Sequence, residues 1–504
     1  MTQFMQTPAA QNDLEKITQE TMNLMKDATT TGFTTADGLT GFGLEPVAKL
    51  IYPLVTPFLN SIPRKNAGQG SAAARWKAIT GFGYTKQRPS TSFGAAGNLV
   101  KTVEQDFVAP YAPLSLGDSV TKDAQTLARG FDNLRAKSGV KTLYELKTGE
   151  DVMAIGGQNF ALEAIGTLTA TYSSTGGSIT NGGASAVTWK FAVAARTTEA
   201  YHYGGPGTTQ GVNGDDMLTA ASTAVTVSVP AGATTGSVAL TVPALVGAVA
   251  YDWYTDNGTG GNLYYTGITT TVNAATITAA ADTANAVAPT ADNSADTETF
   301  NGYMATLVGA YSSAGMVTRG TSSARSSGSY ITSLDAKTLT GNNGSIQEID
   351  NVLLYLAQNF QVSPTRLVVN PQEAFNMTDK MFATGGYRVM LQAGKQQDAL
   401  TGGTYVENYI NKAWQGQMLK IVVDPHVAPG TIMGVTDMLP YPDNTISSVL
   451  EIETQEEYTQ YEYAANRQTG AGGGPRYDYE VRSIEVFKNY FPAGGFLLQN
   501  VGNG

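Results

Sequence analysis

The residues able to do chemistry are few and scattered. The chain has two histidines, His202 and His426, and no cysteine in 504 residues. Disulfides, thiolate metal sites and cysteine nucleophiles are therefore excluded together. A zinc site wants three or four His, Cys or carboxylate ligands. Neither histidine has a matching partner at short spacing, so both are expected in structural or surface roles, His202 in a Tyr/Gly-rich loop and His426 between two prolines. Glu451, Glu453 and Glu457 fall on one face of an expected strand, where paired carboxylates could do acid–base work. No companion base or cleft signal accompanies them, so a solvated or partner-facing strand is the stronger reading. The run DNGTGGN at 256–262 lacks the acidic density and closing glutamate of a calcium loop, and a tight hairpin turn is expected. The glycines at 470–474 are followed by neither Lys-Ser/Thr nor a helix, so they form no phosphate loop. The expectation is a protein with no catalytic residue, no cofactor and no metal.

The most regular stretch is 344–375. Ile346, Ile349, Leu353, Leu356 and Phe360 draw one apolar stripe down a helix. Ser345 and Glu348 have the spacing of a capping box. Ser363-Pro364 is expected to stop the helix. Leu367-Val368-Val369 then reads as a buried strand, and Asn370-Pro371 opens a second helix.

At this length two to four domains are expected. Hydrophobic content is 42%, ample for packed cores, whereas charged content is only 14% against roughly 25% in typical soluble domains. Such a chain either exposes an uncharged Ser/Thr/Gly surface or hides much of its surface against partners. The net charge of −11 is unevenly placed. Residues 64–147 hold thirteen basic and six acidic residues, residues 161–292 two and eight, and residues 437–480 two and nine. Blocks of opposite sign suit contacts between copies of one chain, but charge clusters alone are more often the solvated faces of unrelated domains. No secretory signal is expected from the first 16 residues, which lack a basic start and an apolar core. The longest apolar run, 240–254, is broken by Pro243 and Asp252 and is too short to span a bilayer.

In chain order, residues 1–40 read as a polar arm with a short helix. Alternation through Trp76 to Tyr84 and a second strand at 99–108 predict a long hairpin with a Ser/Gly/Ala-rich tip at 88–98. A lone hairpin is marginal in water, so this one is expected to lean on another surface. One helix is predicted from Val120 to Ser138-Gly139 and another from Val140 to Ile155. Residues 160–292 differ in kind. Seven short alternating runs with Gly/Asn turns predict a β-sandwich anchored by Trp189 and Trp253. Long strands are predicted at 449–463 and 477–491.

This order of parts resembles the Hong Kong 97-type major capsid protein of tailed bacteriophages. The stretch TLYELKTGEDVMAIGGQNF at 142–160 looks like the end of that family's spine helix. The stretch NGYMATLV at 301–308, the unit 346–375 that contains VSPTRLVVNPQEAF, and VVDPHVAPGTIMGV at 422–435 resemble its axial-domain segments, and 75–108 its extended loop. The runs SAVTWKFAVAARTTE and VALTVPALVGAVAYDWYTDNG, within 160–292, are similar to strands of fibronectin type III or immunoglobulin-like domains.

The resemblance implies an α+β fold of the Hong Kong 97-like capsid type with an inserted all-β sandwich. Its parts are an arm at 1–74, an extended β-hairpin loop at 75–118, a spine-helix region at 119–159, the sandwich at 160–292, an axial domain at 293–448 and peripheral strands at 449–504. It implies a shell protein that self-assembles through hexamers and pentamers around double-stranded DNA, which is held by confinement. Portal, scaffold and decoration proteins are the other implied partners, the virion capsid is the implied location, assembled in the host cytoplasm, and no membrane is involved. Lys77, Lys86, Arg88 and Lys101 in the basic block, and Glu451, Glu453 and Glu457 in the acidic one, are the candidates for contacts between subunits. The sandwich is expected to loop out as a surface decoration that can be removed without breaking the host core. Two other readings share part of this pattern: a phage tail or baseplate protein, and a carbohydrate-active protein with an immunoglobulin-like module.

Overall fold

The apolar stripe on Gln347–Phe360 does what its spacing requires, burying Ile349, Val352, Leu353, Leu356 and Phe360 along one helix face. The strand Arg366–Val369, buried at every position, and the helix Pro371–Ala383 follow it. In the computed structural model the described residues are 55–67, 72–82, 93, 96, 102–128, 133–211, 215–310, 329–342, 344–383, 406–441, 446–463 and 476–503. The chain divides into one unit of 1–50 with 128–133 and another of 51–127 with 134–504, and the described residues belong almost wholly to the second. The expected arm helix lies outside them, as does the hairpin tip apart from Phe93 and Ala96.

Both ends of Gln347–Phe360 differ from expectation. The N-cap is Ile346, and no side chain caps it. Ser345 Oγ instead donates to Asp350 Oδ2 at 2.6 Å, and Glu348 Oε2 accepts from the Thr340 N–H at 3.0 Å. Tertiary hydrogen bonds thus outcompete the capping box. The helix ends before Ser363-Pro364, at Gln361 in the left-handed region (φ 53°), which returns its N–H to the Ala357 carbonyl.

A six-stranded sheet forms around Arg366–Val369. Its order is Tyr330–Ser333, Phe496–Gln499, Ile432–Val435, Arg366–Val369, Gln417–Val423 and Asn408–Asn411. The strand Phe496–Gln499 therefore pairs within this sheet, beside strands of the expected axial segment.

The long strands Leu450–Tyr463 and Arg476–Asn489 pair antiparallel. Ala112–Thr121 flanks one side of the pair and Arg64–Asn66 the other. Strand therefore runs through Val120, where a helix was predicted, and among the described residues between this strand and the long helix Lys122–Leu127 is helical. That helix, Leu134–Gly156, continues through Ser138-Gly139, the expected break. Ser138 Oγ donates to Asp118 Oδ2 at 2.7 Å, and a Cβ at Gly139 would come within 3.1 Å of the Gln460 side chain. Small residues there let the helix lie close on the sheet, and this contact outweighs their poor helix propensity. Part of the expected arm is also structural, because Phe58 in Pro57–Asn60 is fully buried in the main core.

The hairpin Ala73–Phe82 and Thr102–Pro110 is a sheet of two strands, with a register shift between Ile79 and Gly81. Residues 169–277 supply the predicted sandwich. One sheet is ordered Tyr264–Thr270, Ala250–Thr255, Val187–Arg196, Val225–Val229, and the other Ala274–Ile277, Ala233–Thr241, Thr169–Ser173, with Ile179–Asn181 also on Ala233–Thr241. Trp189, Phe191, Tyr251 and Trp253 fill its separate core.

Candidate functional site

The residues that could carry function are those that brace the hairpin, the long helix and the sandwich against the core. Trp76 fixes the base of the hairpin. It stacks on Phe107 with ring centroids 5.7 Å apart, and its indole N–H donates to the Asn489 carbonyl at 3.1 Å. The Lys488 ammonium lies over its ring at 5.8 Å.

The contact candidates separate into two groups. Lys77 is exposed, and Lys86, Arg88 and Lys101 lie outside the described residues. Glu451 and Glu453 are engaged within the chain. Glu451 is buried beside Lys65 at 3.8 Å, while Glu453 pairs with Lys488 and accepts from the Tyr111 hydroxyl at 2.6 Å. Glu457 is exposed. Register shifts between Thr454 and Glu456, and between Glu456 and Thr459, break the alternation expected to put all three on one face.

The structure brings together what the sequence left apart. His202 lies on the helix Thr198–Tyr203, and its Nε2–H donates to the His426 carbonyl at 2.8 Å. The His426 Nδ1–H donates to Asp151 Oδ2 at 2.7 Å, and Asp424 Oδ1 is 3.3 Å from the same nitrogen. Asp151 and Asp424 are fully buried. The three side chains have ligand atoms within 4.8 Å of one another, so they are the group among the described residues with metal-ligand spacing. Their oxygens are already occupied. Asp151 Oδ1 accepts from the Leu59 N–H at 2.9 Å, and Asp424 accepts from the N–H groups of Phe58 at 3.1 Å and His426 at 3.0 Å. The cluster caps the start of Pro57–Asn60 and clamps it to the long helix and to the turn after Gln417–Val423. Burial opposes charge on His426, but hydrogen bonds and attraction from Asp151 and Asp424 prevail and raise its pKa to about 9. Burial raises Asp151 to about 6 despite His426, and burial lowers His202. Sequence reasoning missed this cluster because Asp151 and His426 are 275 residues apart, and no local pattern marks them as partners.

The sandwich is joined to the core beyond its two connections. The incoming and outgoing chains run side by side, with the Leu162 N–H on Ser294 Oγ at 3.0 Å and the Gly302 N–H on the Gly157 carbonyl at 2.8 Å. Thr198 Oγ1 donates to Met304 Sδ at 3.1 Å, and Gln499 Nε2 donates to the Ala248 carbonyl at 2.9 Å. Val249 is part of the main core. A Cβ at Gly156 would lie 2.2 Å from Thr198 Cβ, so only glycine permits this approach of the long helix. These contacts tie the insertion to the host core, which bears on the expectation that it can be removed without breaking that core. In the DNGTGGN turn, Asp256 accepts from the N–H groups of Lys190, Gly258 and Gly260, which uses its carboxylate as a turn brace.

No family model and no curated protein matches the chain. Solved structures similar to it are shell proteins. The capsid of the native GTA particle is 9% identical, with 94% of this chain and 100% of that chain covered and a TM-score of 0.40. The cyanophage A-1(L) capsid is 9% identical, with 90% and 95% covered and a TM-score of 0.41. The holo-SrpI encapsulin complex of Synechococcus elongatus is 8% identical, with 95% of each chain covered and a TM-score of 0.36. At these scores the likeness assigns no function.

Proposed function

We propose that the chain is a major capsid protein, a non-catalytic subunit that self-assembles into a closed shell around double-stranded DNA. The observation that carries this reading is the hairpin. Its sheet has two strands, Ala73–Phe82 and Thr102–Pro110, with Phe93 wholly exposed and Val108 57% exposed. Two-stranded ribbons are marginal in water and need a surface to lie on. Trp76 anchors the base firmly, so a second copy of the chain is the surface the remainder fits. The basic block at 64–147 and the acidic block at 437–480 give such a contact complementary charge. In this reading Lys77, Lys86, Arg88 and Lys101 face acidic groups of a neighbour. Of the acidic candidates, Glu457 remains available, while Glu451 and Glu453 brace the subunit itself.

The sandwich is read as an immunoglobulin- or fibronectin-like decoration of the outer surface. Its segment 161–292 holds two basic and eight acidic residues, which suits a position away from packaged DNA. Portal, scaffold and further decoration proteins would complete the particle, and the virion capsid is the location, assembled in the host cytoplasm. Electron microscopy of the purified chain tests the proposal: closed shells are expected, and a persistently monomeric chain would overturn it.

A further inference from the structure

We infer that Arg64, Glu150, Tyr458 and Glu485 form a proton-controlled latch between the long helix and the long-strand sheet. Each comes from a different element: the strand Arg64–Asn66, the helix Leu134–Gly156, and the strands Leu450–Tyr463 and Arg476–Asn489. One guanidinium serves two carboxylates. Arg64 Nη1 donates to Glu485 Oε2 at 3.1 Å, and Nη2 pairs with Glu150 and donates to the Tyr458 hydroxyl at 2.6 Å. The Tyr458 hydroxyl donates in turn to Glu150. Both carboxylate side chains are 0% exposed. Glu485 Oε1 is sealed from solvent and has no hydrogen-bond partner among the described residues.

The other charges nearby do not complete the balance. Lys147 places its ammonium over the Tyr458 ring at 5.1 Å, and Glu457 adds a negative charge that Tyr458 feels. On the same sheet Lys488 pairs with Glu453, and Lys65 with Glu451. With a proton on Glu485, Arg64 and Glu150 balance as one buried ion pair. Without it, a second buried carboxylate competes for the same guanidinium, and the burial of its charge goes uncompensated. Burial is the main cause of a raised Glu485 pKa, which reaches about 7 even though Arg64 opposes the rise. Because this exceeds the ordinary 4.5, the stabilisation is complete below that value and is lost as pH rises through about 7. The latch holds the long helix to the sheet in mild acid and loosens it above neutrality. It depends on the subunit fold and stands whether or not the chain forms shells.

The test is the thermal midpoint of the full chain from pH 5.5 to 9.5, with hydrogen exchange of residues 134–156 corrected for the intrinsic rate. The wild type should lose stability between pH 5.5 and about 7, where Glu485 adds to other buried carboxylates held above their ordinary range such as Asp151 and Glu199, and again toward pH 9 from His426. Glu485→Gln should remove the Glu485 share of the lower loss, giving a shallower profile below pH 7 than the wild type's, and keep the upper. Glu150→Gln, which leaves Arg64 to Glu485 alone, should move the Glu485 share of the lower loss toward acid by about one pH unit, roughly a tenfold change in proton affinity. If Glu485→Gln does not fold, the Glu150→Gln profile decides. A lower loss as steep in Glu485→Gln as in the wild type, or one that stays in place in Glu150→Gln, overturns the latch.

Discussion

His202 and His426 are 224 residues apart, yet the ring of one donates a 2.8 Å hydrogen bond to the backbone of the other. That bond crosses from the sandwich to the turn that clamps Pro57–Asn60. The same turn carries Asp424, and the same clamp reaches Asp151 on the long helix. The insertion, the long helix, the N-terminal segment and the six-stranded sheet therefore meet at one buried polar junction. Burying two carboxylates is tolerable there because one imidazolium and three backbone N–H groups satisfy them.

The His426 clamp has a defined pH sign. Its folded pKa of about 9 lies above the ordinary 6.5, so its stabilisation is complete below 6.5 and is lost as pH rises through 9. His426→Ala leaves two buried carboxylates without their cation. A loss of about 3 kcal/mol at pH 6, shrinking by pH 9.5, is expected in denaturant titrations. An equal loss at both pH values would show that the imidazolium charge is irrelevant.

Trp76→Ala tests the hairpin anchor. It removes the stack on Phe107 and the hydrogen bond to Asn489. A cost of about 3 kcal/mol is expected, because a large buried aromatic is lost. The variant should remain folded by circular dichroism but give few particles. Normal particle yield from a destabilised subunit would separate the anchor from assembly.

Replacing residues 162–292 with a Gly/Ser linker tests how the sandwich is joined. The ends are close enough to bridge, since Leu162 and Ser294 are hydrogen bonded. The deletion strips cover from Met304 and Gln499 and removes Val249 from the main core. The remaining body is expected to unfold at a midpoint several degrees lower, while residues 160–294 expressed alone fold as a β protein around Trp189 and Trp253. An unchanged midpoint would mean the seam contributes nothing.

Much of this fold was legible in the sequence where one face of an element is buried. The stripe through Ile349 to Phe360, the run Leu367-Val368-Val369 and the alternation around Trp76, Trp189 and Trp253 each carried their own period. Element ends and contacts were not legible, because distant residues decide them. Ser138 and Gly139 continue a helix only because Asp118 and Gln460 lie across from them. Ser345 and Glu348 leave the capping box for Asp350 and Thr340. Glu451 and Glu453 read as free charges until Lys65, Lys488 and Tyr111 are folded onto them. The clamp at His426 has partners from three distant segments and no local signature.

Reversing Lys77, Lys86 and Lys101 to Glu tests charge complementarity between copies. Lys77 is exposed but stands opposite Asp106 in the hairpin, so the subunit should still fold, with a loss of about 1 kcal/mol or less. Assembly should be impaired and should recover partly in high salt, which screens the new repulsion. Wild-type assembly of the triple variant at low salt would remove the basic block from the interface.

Electron microscopy of the purified full-length chain tests the central claim most directly. Self-assembly through the hairpin predicts closed, roughly spherical shells of uniform size, with hairpin density lying across a neighbouring subunit. A chain that stays monomeric at high concentration, or whose hairpin folds back on its own subunit within any assembly formed, would contradict it.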